Sequence, residues 1–447
     1  MRLSRIVNLL IASGLYVGLN VWLGAELGPP GAGLALVATI AWLWVSEALH
    51  VSVTALLVPL LAALSGVLAF DEALLQFADP VIFLFLGGFA LAAGLQRQGL
   101  DRWMAGRVMR WAGADFGRAT RWLFWLTAFL SMWISNTATA AMMLPLALGL
   151  LSALPLEPYR RTWTYVLLGV AFSANIGGIG TVVGSPPNAI AAAHAGLTFG
   201  AWLSWGLPLV LLLMPLMEFG LRRAVKPRLD AVLTPPPPQA AWSAAQKRMM
   251  GLFGLTVLLW VFGAPLGEWV GLERGYDAAV AVLALALLHA LGLARWADIE
   301  RGTEWGVLLL FGGGLTLSKA LADSGAAAWL AAQFGGPLAQ MPVLLCIALM
   351  VLFALVITEV TSNTASAALL IPLFLGLAPH VERVPLAVLV AVGTSCAFLL
   401  PVATPPNAIV FGSGHVAQRA MIGGGLRVTL LVYPALVVFA AVALALY

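Results

Sequence analysis

Charged residues are scarce in this chain of 447 residues, where Asp, Glu, Lys and Arg together make up only 9%. A soluble domain has about a quarter of its residues charged, so an ordinary soluble enzyme is excluded. Disorder is excluded as well, because 62% of the residues are hydrophobic and the mean hydropathy is +0.98. The 46 Gly and 26 Pro fit membrane helices, where neighbouring segments satisfy an interrupted backbone. The composition therefore predicts an all-α polytopic membrane protein in contact with the lipid bilayer.

Cysteine and histidine are also rare. The two cysteines, Cys346 and Cys396, lie in apolar segments without CxxC spacing and are predicted to be small buried hydrophobic residues. The five histidines lack the spacing of metal ligands, and no pair of a nucleophile and a base is recognisable. The net charge of +4 forms no basic stripe with interleaved aromatics, so nucleic acid is not expected as a partner. An enzyme is thus disfavoured, and no organic cofactor is expected.

Two polar motifs occur twice, once in each half of the chain. Ser-Asn-Thr-Ala stands at 135–138 and again at 362–365, and each copy is followed by an apolar run with one proline. Pro-Pro-Asn-Ala-Ile stands at 186–190 and again at 405–409, preceded by Ser in the first copy and Thr in the second. Because the motifs recur in the same order at nearly the same spacing, they predict an internal duplication.

Hydropathy and charge divide the chain into four segments. We expect a leading transmembrane helix over 1–30, a first repeat over 31–228, a Pro-rich cytoplasmic linker over 229–247 and a second repeat over 248–447. The apolar pairs around each Ser-Asn-Thr motif are too closely spaced for two crossings. The prediction is therefore about 11 transmembrane helices plus two re-entrant hairpins in inverted repeats, the first hairpin facing the cytoplasm and the second the outside. We expect the protein in the inner (plasma) membrane, and the distribution of Lys and Arg predicts a cytoplasmic N-terminus and a C-terminus outside.

The two kinds of motif suit a binding site in the middle of the membrane. Ser, Asn and Thr are good N-caps, and the half-helix that follows them carries partial positive charge at its start. The oxygens of these three residues also suit a monovalent cation. Proline at the first turn of a half-helix costs no hydrogen bond, while the break frees carbonyls upstream. A single Ser-Asn-Thr motif is more often hydrogen-bonding glue between helices, but paired motifs favour a midplane site. Neither tip and neither helix break holds Lys or Arg, so an anion there depends on hydroxyls, amides, helix N-termini and bound cations.

At these motifs the chain resembles the divalent anion/sodium symporter family of di- and tricarboxylate carriers, over essentially its whole length. The resemblance implies a homodimer in which a transport domain moves against a scaffold by an elevator motion. It implies co-transported sodium ions at two sites, the first formed by Ser131, Ser135, Asn136 and the backbone at Gly184, and the second by Thr358, Ser362, Asn363 and the backbone at Ala403. It also implies a substrate site formed by Asn136, Thr137, Ser185, Asn363, Thr364, Thr404 and Pro405.

The predicted function is sodium-coupled symport of a divalent anion, with a C4-dicarboxylate such as succinate as the preferred substrate. A di- or tricarboxylate exchanger and a proton-coupled anion transporter of the same superfamily are the alternatives. Glu359 lies close to the second tip and is a functional candidate, because acids at membrane depth are costly; a buried structural partner is the equal alternative. Glu47 and His50, near a helix end, are expected to serve the structure.

Overall fold

The computed structural model describes residues 2–152, 154–233, 241–272 and 275–446, and most of these residues are helical. The first half contains the helices α1 (Arg2–Leu27), α2 (Pro29–Ser46), α3 (Val51–Leu64), α4 (Phe70–Leu75), α5 (Pro80–Arg97), α6 (Leu100–Ala112), α7 (Phe116–Ser131), α8 (Asn136–Leu151), α9 (Leu156–Gly177), α10 (Pro186–Ala195) and α11 (Phe199–Val225). The second half contains α12 (Ala244–Val261), α13 (Gly263–Val270), α14 (Tyr276–Ala290), α15 (Trp296–Gly302), α16 (Trp305–Asp323), α17 (Ala326–Ala339), α18 (Val343–Thr358), α19 (Asn363–Leu377), α20 (Arg383–Ser395), α21 (Pro405–Gly412) and α22 (Gln418–Leu446). The four prolines of the predicted linker, 235–238, and the C-terminal Tyr447 lie outside the described residues.

Several helices are long and apolar enough to cross a membrane. Among the described residues, seven segments meet this condition by length and composition: Ser4–Leu27, Pro29–Ser46, Phe70–Arg97, Leu156–Gly180, Phe199–Val225, Trp305–Asp323 and Gln418–Ala445. The pair α12 and α13, bent by 81°, adds an eighth if it forms one span. The protein is therefore a multi-pass, all-helical membrane protein, whereas the expected number of about 11 crossings stays a prediction.

Each Ser-Asn-Thr motif lies at the turn of a helical hairpin. The first turn joins α7 to α8 and the second joins α18 to α19, and the two helices of each hairpin pack against each other. These helices contain 16, 16, 16 and 15 residues. At a rise of about 1.5 Å per residue each is shorter than the roughly 30 Å apolar core of a bilayer. The lengths fit re-entrant hairpins, a feature that stays a prediction.

Each Pro-Pro-Asn motif restarts a helix after a buried break. Between α9 and α10 the chain forms two short 3-10 turns, Gly178–Gly180 and Val182–Gly184, and between α20 and α21 it forms irregular turns. In both copies the two prolines occupy the first two helical positions, where no backbone donor is lost. The short helix of each half packs on the other half: α10 contacts α19 and α20, while α21 contacts α8 and α9. This exchange brings all four motifs to one place.

The remaining helices surround this centre. Helix α3 packs on α16, and α5 packs on α14. The sequence needs glycine where elements approach closely: a Cβ at Gly313 of α16 would lie 2.6 Å from the Cβ of Ala55 in α3. Cys346 and Cys396 are both buried and unpaired, so the prediction that they are small buried residues is confirmed.

Candidate substrate and sodium site

A cavity of about 580 Å³ lies where the two hairpin tips meet the two Pro-Pro-Asn turns. Its lining includes the following residues from the four motifs: Ser135, Asn136, Thr137, Ser185, Pro186, Pro187, Ser362, Asn363, Thr364, Ala403, Thr404 and Pro405. The structure thus brings all seven predicted substrate residues to one cavity, from positions far apart in the sequence. Their role as substrate contacts stays a prediction.

Four helices begin at this cavity. Asn136 starts α8, Pro186 starts α10, Asn363 starts α19 and Pro405 starts α21, and all four residues line it. The N-terminus of a helix carries partial positive charge and stabilises anions. No Lys or Arg occurs among the described residues that line the cavity. An anion bound here is stabilised by helix ends, hydroxyls and amides rather than by a fixed cationic side chain.

Behind the first tip, oxygen atoms from three segments converge. Ser131 Oγ lies 2.6 Å from Asn136 Oδ1 and 2.7 Å from the Ala174 carbonyl oxygen. The same amide atom of Asn136 lies 3.1 Å from the Ala174 carbonyl and 3.3 Å from the Gly184 carbonyl. If Asn136 Oδ1 points toward these atoms, it faces only other oxygens, and a cation bound between the oxygens stabilises this orientation. If Asn136 Nδ2 points toward them instead, it donates to the Ala174 and Gly184 carbonyls. Hydroxyl, amide and carbonyl oxygens are ligands that suit sodium, so the residues present fit the predicted ion.

The second tip repeats this arrangement. Thr358 Oγ1 lies 2.7 Å from Asn363 Oδ1 and 2.7 Å from the Thr394 carbonyl oxygen. Thr358, like Ser131, is fully buried behind its tip and does not line the cavity. At each tip, the hydroxyl, the asparagine amide oxygen and the backbone carbonyl form an oxygen cluster. The hydroxyl of Ser131 or Thr358 therefore orients an asparagine that lies between this oxygen cluster and the cavity. The carbonyls of Ala174 and Thr394 at these two places were not predicted, since every residue has a carbonyl and its use leaves no trace in the sequence.

The other predicted sodium ligands are placed differently. Ser135 Oγ accepts a hydrogen bond from the Ala138 backbone N–H, 3.3 Å, and so acts as the N-cap of α8. Ser362 occupies the N-cap position of α19 without a side-chain bond to the helix. Both serines and Ala403 line the cavity. A sodium-binding role for these three residues stays a prediction.

The asparagine of each Pro-Pro-Asn motif holds its helix break together. Asn188 Nδ2 donates to the carbonyls of Gly178 and Thr181, both at 2.7 Å. Asn407 Nδ2 donates to the Ala397 carbonyl, 3.2 Å, and to the carbonyl three residues later, 3.1 Å. Both asparagines are fully buried. These motifs are recognisable in the sequence, whereas the role of each asparagine is visible only in the structure.

Glu359 binds the backbone of the second helix break. Its Oε1 accepts from the N–H groups of Phe398, 2.8 Å, and Leu399, 3.1 Å. Its Oε2 accepts from Leu399, 3.1 Å, and Leu400, 3.2 Å. Glu359 does not line the cavity. Of the two roles that the sequence left open, the structure provides the buried partner, in the segment that leads to Thr404.

A second wall of the cavity comes from outside the motifs. Glu47, His50, Ser52, Glu304 and Gly306 line it. His50 Nδ1 accepts from the Ser52 N–H at the start of α3, and Ser52 Oγ donates to the Gly306 carbonyl, 3.0 Å, which ties α3 to α16. Glu47 and His50 were expected to be structural, yet they also face the cavity. Glu304 was missed, because an isolated acid before an apolar helix gives no functional signal.

Comparison with known proteins gives a consistent result. The sequence model of the citrate transporter family, CitMHS, matches residues 41–393. The chain is 48% identical over 408 residues to an uncharacterized transporter of Haemophilus influenzae, covering 89% of this chain and 88% of that protein. It is 31% identical over 432 residues to the sodium-dependent dicarboxylate transporter SdcS of Staphylococcus saprophyticus, covering 89% and 83%.

The fold also matches a solved transporter structure. The crystal structure of the YdaH transporter from Alcanivorax borkumensis superposes with a TM-score of 0.57 and 15% sequence identity, covering 84% of this chain and 88% of that one. The family and its members point to a transporter rather than an enzyme, as predicted. The chain belongs to the family of citrate and sodium-dependent dicarboxylate transporters, the divalent anion/sodium symporters that its motifs resemble.

Proposed function

We propose that this protein carries a C4-dicarboxylate such as succinate across the membrane together with sodium. The observation that carries the proposal is the repeated oxygen cluster, Ser131 with Asn136 and Thr358 with Asn363, behind two tips that border one cavity. Two relatives with 31% and 30% sequence identity are named sodium-dependent dicarboxylate transporters. A cavity of about 580 Å³ has room for a small dicarboxylate.

Sodium binding should precede anion binding. The cavity has helix N-termini and hydroxyls but no Lys or Arg among its described lining residues, so a dianion gains much of its stabilisation from cations behind the tips. Asn136 and Asn363 each belong to an oxygen cluster and to the cavity lining. Sodium therefore raises the affinity for the dianion, and by linkage the dianion raises the affinity for sodium by the same factor.

We further propose that the described conformation faces the cytoplasm. The second wall of the cavity includes Glu47 and His50, in the loop between α2 and α3. Arg5, near the start of α1, donates from Nε to the Ala48 carbonyl, 2.8 Å, so the start of α1 lies at the same membrane face. With a cytoplasmic N-terminus, as the charge distribution predicts, this face is the inner one.

The family resemblance supports further proposals about assembly and motion. A homodimer, an elevator movement of a transport domain carrying both tips, the four segment boundaries and the inner-membrane location all remain proposals. A tricarboxylate such as citrate is the second candidate substrate, because the matching family is named for citrate transport.

Uptake of labelled succinate into proteoliposomes tests the proposal. Uptake should rise with an inward sodium gradient and rise again with an inside-negative potential if more than two sodium ions accompany each dianion. Each net charge then contributes about 2.3 kcal/mol per 100 mV. Asn136→Ala and Asn363→Ala should abolish uptake in folded protein, whereas Asn20→Ala in α1, whose amide donates to the Tyr16 carbonyl one turn earlier, should not.

Three results would contradict the proposal in different ways. Uptake that ignores sodium and requires internal substrate indicates an exchanger. Uptake driven by a proton gradient without sodium indicates proton coupling. Citrate or sulfate that competes more strongly than succinate, in the same assay and in a thermal-shift screen with and without sodium, changes the substrate but retains the mechanism.

A further inference from the structure

A second cavity, of about 660 Å³, lies apart from the candidate site, where the start of α9, the end of α11 and the start of α22 meet. Its lining includes five cationic side chains, from Arg160, Arg161, Lys226, Arg419 and Arg427, and no Asp or Glu among the described residues that form it. A cavity lined by positive charges without negative ones is suited to binding an anion.

Three of these cations have no partner among the described residues. Arg160 pairs with Glu157, and Arg427 donates to a backbone carbonyl at the end of α11. Arg161, Lys226 and Arg419 make no side-chain hydrogen bond or ion pair within the described part of the chain. Their side chains are exposed and so are free to bind a ligand.

The wall formed by α22 leaves room for that ligand. Gly423 lines the cavity, and a Cβ there would meet nothing within 4 Å. Glycine weakens a helix relative to alanine, and packing does not require it at this position. Gly424 differs, because its Cβ would lie 3.0 Å from the Leu221 side chain in α11. The first turn of α22 also lines the cavity and adds partial positive charge.

The position of the cavity relates it to the membrane surface. Helices α11 and α22 are both long enough to span a bilayer, and the cavity lies where α11 ends and α22 begins. On the same two helices, within two turns of residues that line the cavity, Phe219, Leu426 and Leu430 expose apolar side chains. The Arg223 guanidinium lies 4.9 Å above the Phe219 ring. The two helices that line the cationic cavity thus also carry an exposed apolar strip, formed by Phe219, Leu426 and Leu430.

We propose that this cavity binds the phosphate headgroup of an anionic phospholipid. A lipid headgroup and a soluble phosphate ester both present a phosphate oxyanion. Arginine binds this group through paired N–H groups. The apolar strip favours the lipid, since it gives the acyl chains a surface. Basic pockets between transmembrane helices are suited to lipid headgroups. The inference does not depend on the proposed transport function.

Lipid titrations of the purified protein in detergent test the site. Native mass spectrometry measures binding of dioleoyl phosphatidylglycerol, with dioleoyl phosphatidylcholine as the neutral lipid and glycerol 1-phosphate as the soluble phosphate. Phosphatidylglycerol should bind about tenfold more tightly than phosphatidylcholine. The double variant Arg161→Gln with Arg419→Gln should lose this preference. Gly423→Leu should also lose it, although it changes no charge and favours the helix.

The matched control is Lys247→Gln with Arg248→Gln, which removes two exposed charges at the start of α12, outside the cavity. This control should bind phosphatidylglycerol as the wild type does. Wild-type affinity in both cavity variants would overturn the site, as would an equal loss in the control. Glycerol 1-phosphate binding as tightly as the lipid, with the same loss in the cavity variants, would overturn the assignment to a lipid. Succinate uptake has no part in this readout.

Discussion

Asn175 and Thr404 join the two halves of the molecule: Asn175 Nδ2 donates to Thr404 Oγ1 over 3.1 Å, across 229 positions of sequence. Asn175 lies in the last turn of α9 and is fully buried, while Thr404 caps α21 by accepting from the Asn407 N–H and lines the cavity. A predicted substrate contact of the second half is therefore oriented by the broken helix of the first half.

Asn175→Ala should lower both the melting temperature and the substrate affinity. The change removes the donor to Thr404 and leaves the Ala397 carbonyl, 3.4 Å from the amide, with less hydrogen bonding in a buried place. Asn407 Nδ2 still donates to this carbonyl, so the change removes hydrogen bonds worth about 0.5–1.5 kcal/mol each and leaves the carbonyl bonded. Differential scanning fluorimetry and succinate titration measure the two effects, with Asn20→Ala as the control. If the variant keeps wild-type stability and substrate affinity, the hydrogen bond from Asn175 to Thr404 contributes to neither.

Removal of the hydroxyl behind either tip should weaken sodium binding. Thr358→Val keeps the shape but removes the group next to Asn363 Oδ1 and the Thr394 carbonyl, whereas Thr358→Ser retains the hydroxyl. We expect the sodium concentration for half-maximal binding to rise severalfold in Thr358→Val and Ser131→Ala, and little in Thr358→Ser. Substrate affinity should fall in parallel, by linkage. Sodium titrations of purified protein decide this; equal affinities in the valine and serine variants would count against the second oxygen cluster.

The threonines that follow the tip asparagines should affect the anion more than sodium. Thr137 and Thr364 line the cavity and are half-buried. A hydrogen bond to a charged group is worth about 1.5–3 kcal/mol, so Thr137→Val or Thr364→Val should weaken succinate binding about tenfold or more. Sodium affinity measured without succinate should change little. An equal loss for both ligands would argue against separate roles for the tip residues.

The side chains that meet at the candidate site were predicted from the sequence, because polar residues stand out in apolar surroundings. Ser-Asn-Thr and Pro-Pro-Asn are conspicuous in a chain of this composition, and repetition made them specific. The carbonyls of Ala174 and Thr394, which lie in the two oxygen clusters, could not be predicted, because any residue supplies a carbonyl. The partner of Glu359 could not be predicted either, since it depends on how an irregular segment turns its N–H groups. Glu304 reaches the cavity only through the packing of α16 on α3.

Membrane orientation gives a further prediction. Trp269, strongly exposed in α13, and Arg161, exposed near the start of α9, should lie on opposite sides of the membrane. Because both native cysteines are buried, Trp269→Cys and Arg161→Cys can be labelled singly with an impermeant maleimide. We expect the maleimide to label Trp269→Cys when it is added outside the membrane. It should label Arg161→Cys only after the membrane is permeabilised. Labelling of both from the same side would contradict the predicted orientation and the inverted repeats.

Replacement of Glu359 by Gln should distinguish a structural carboxylate from one that couples transport to protons. Its two oxygens accept from three consecutive N–H groups, those of Phe398, Leu399 and Leu400. Glu359→Gln places an amide N–H against these donors, so the segment before Thr404 should shift and binding at the second tip should weaken. Transport should keep its sodium dependence.

A double-mutant cycle measures this coupling. The effects of Glu359→Gln and Thr358→Val on sodium affinity should be non-additive, because both act on the second tip and its adjoining break. The effects of Glu359→Gln and Ser131→Ala should be additive, because Ser131 belongs to the other oxygen cluster. If Glu359 instead carried a transported proton, Glu359→Gln would leave sodium binding intact and abolish the response of uptake to a pH gradient. Such a result would replace the backbone-holding role with proton coupling.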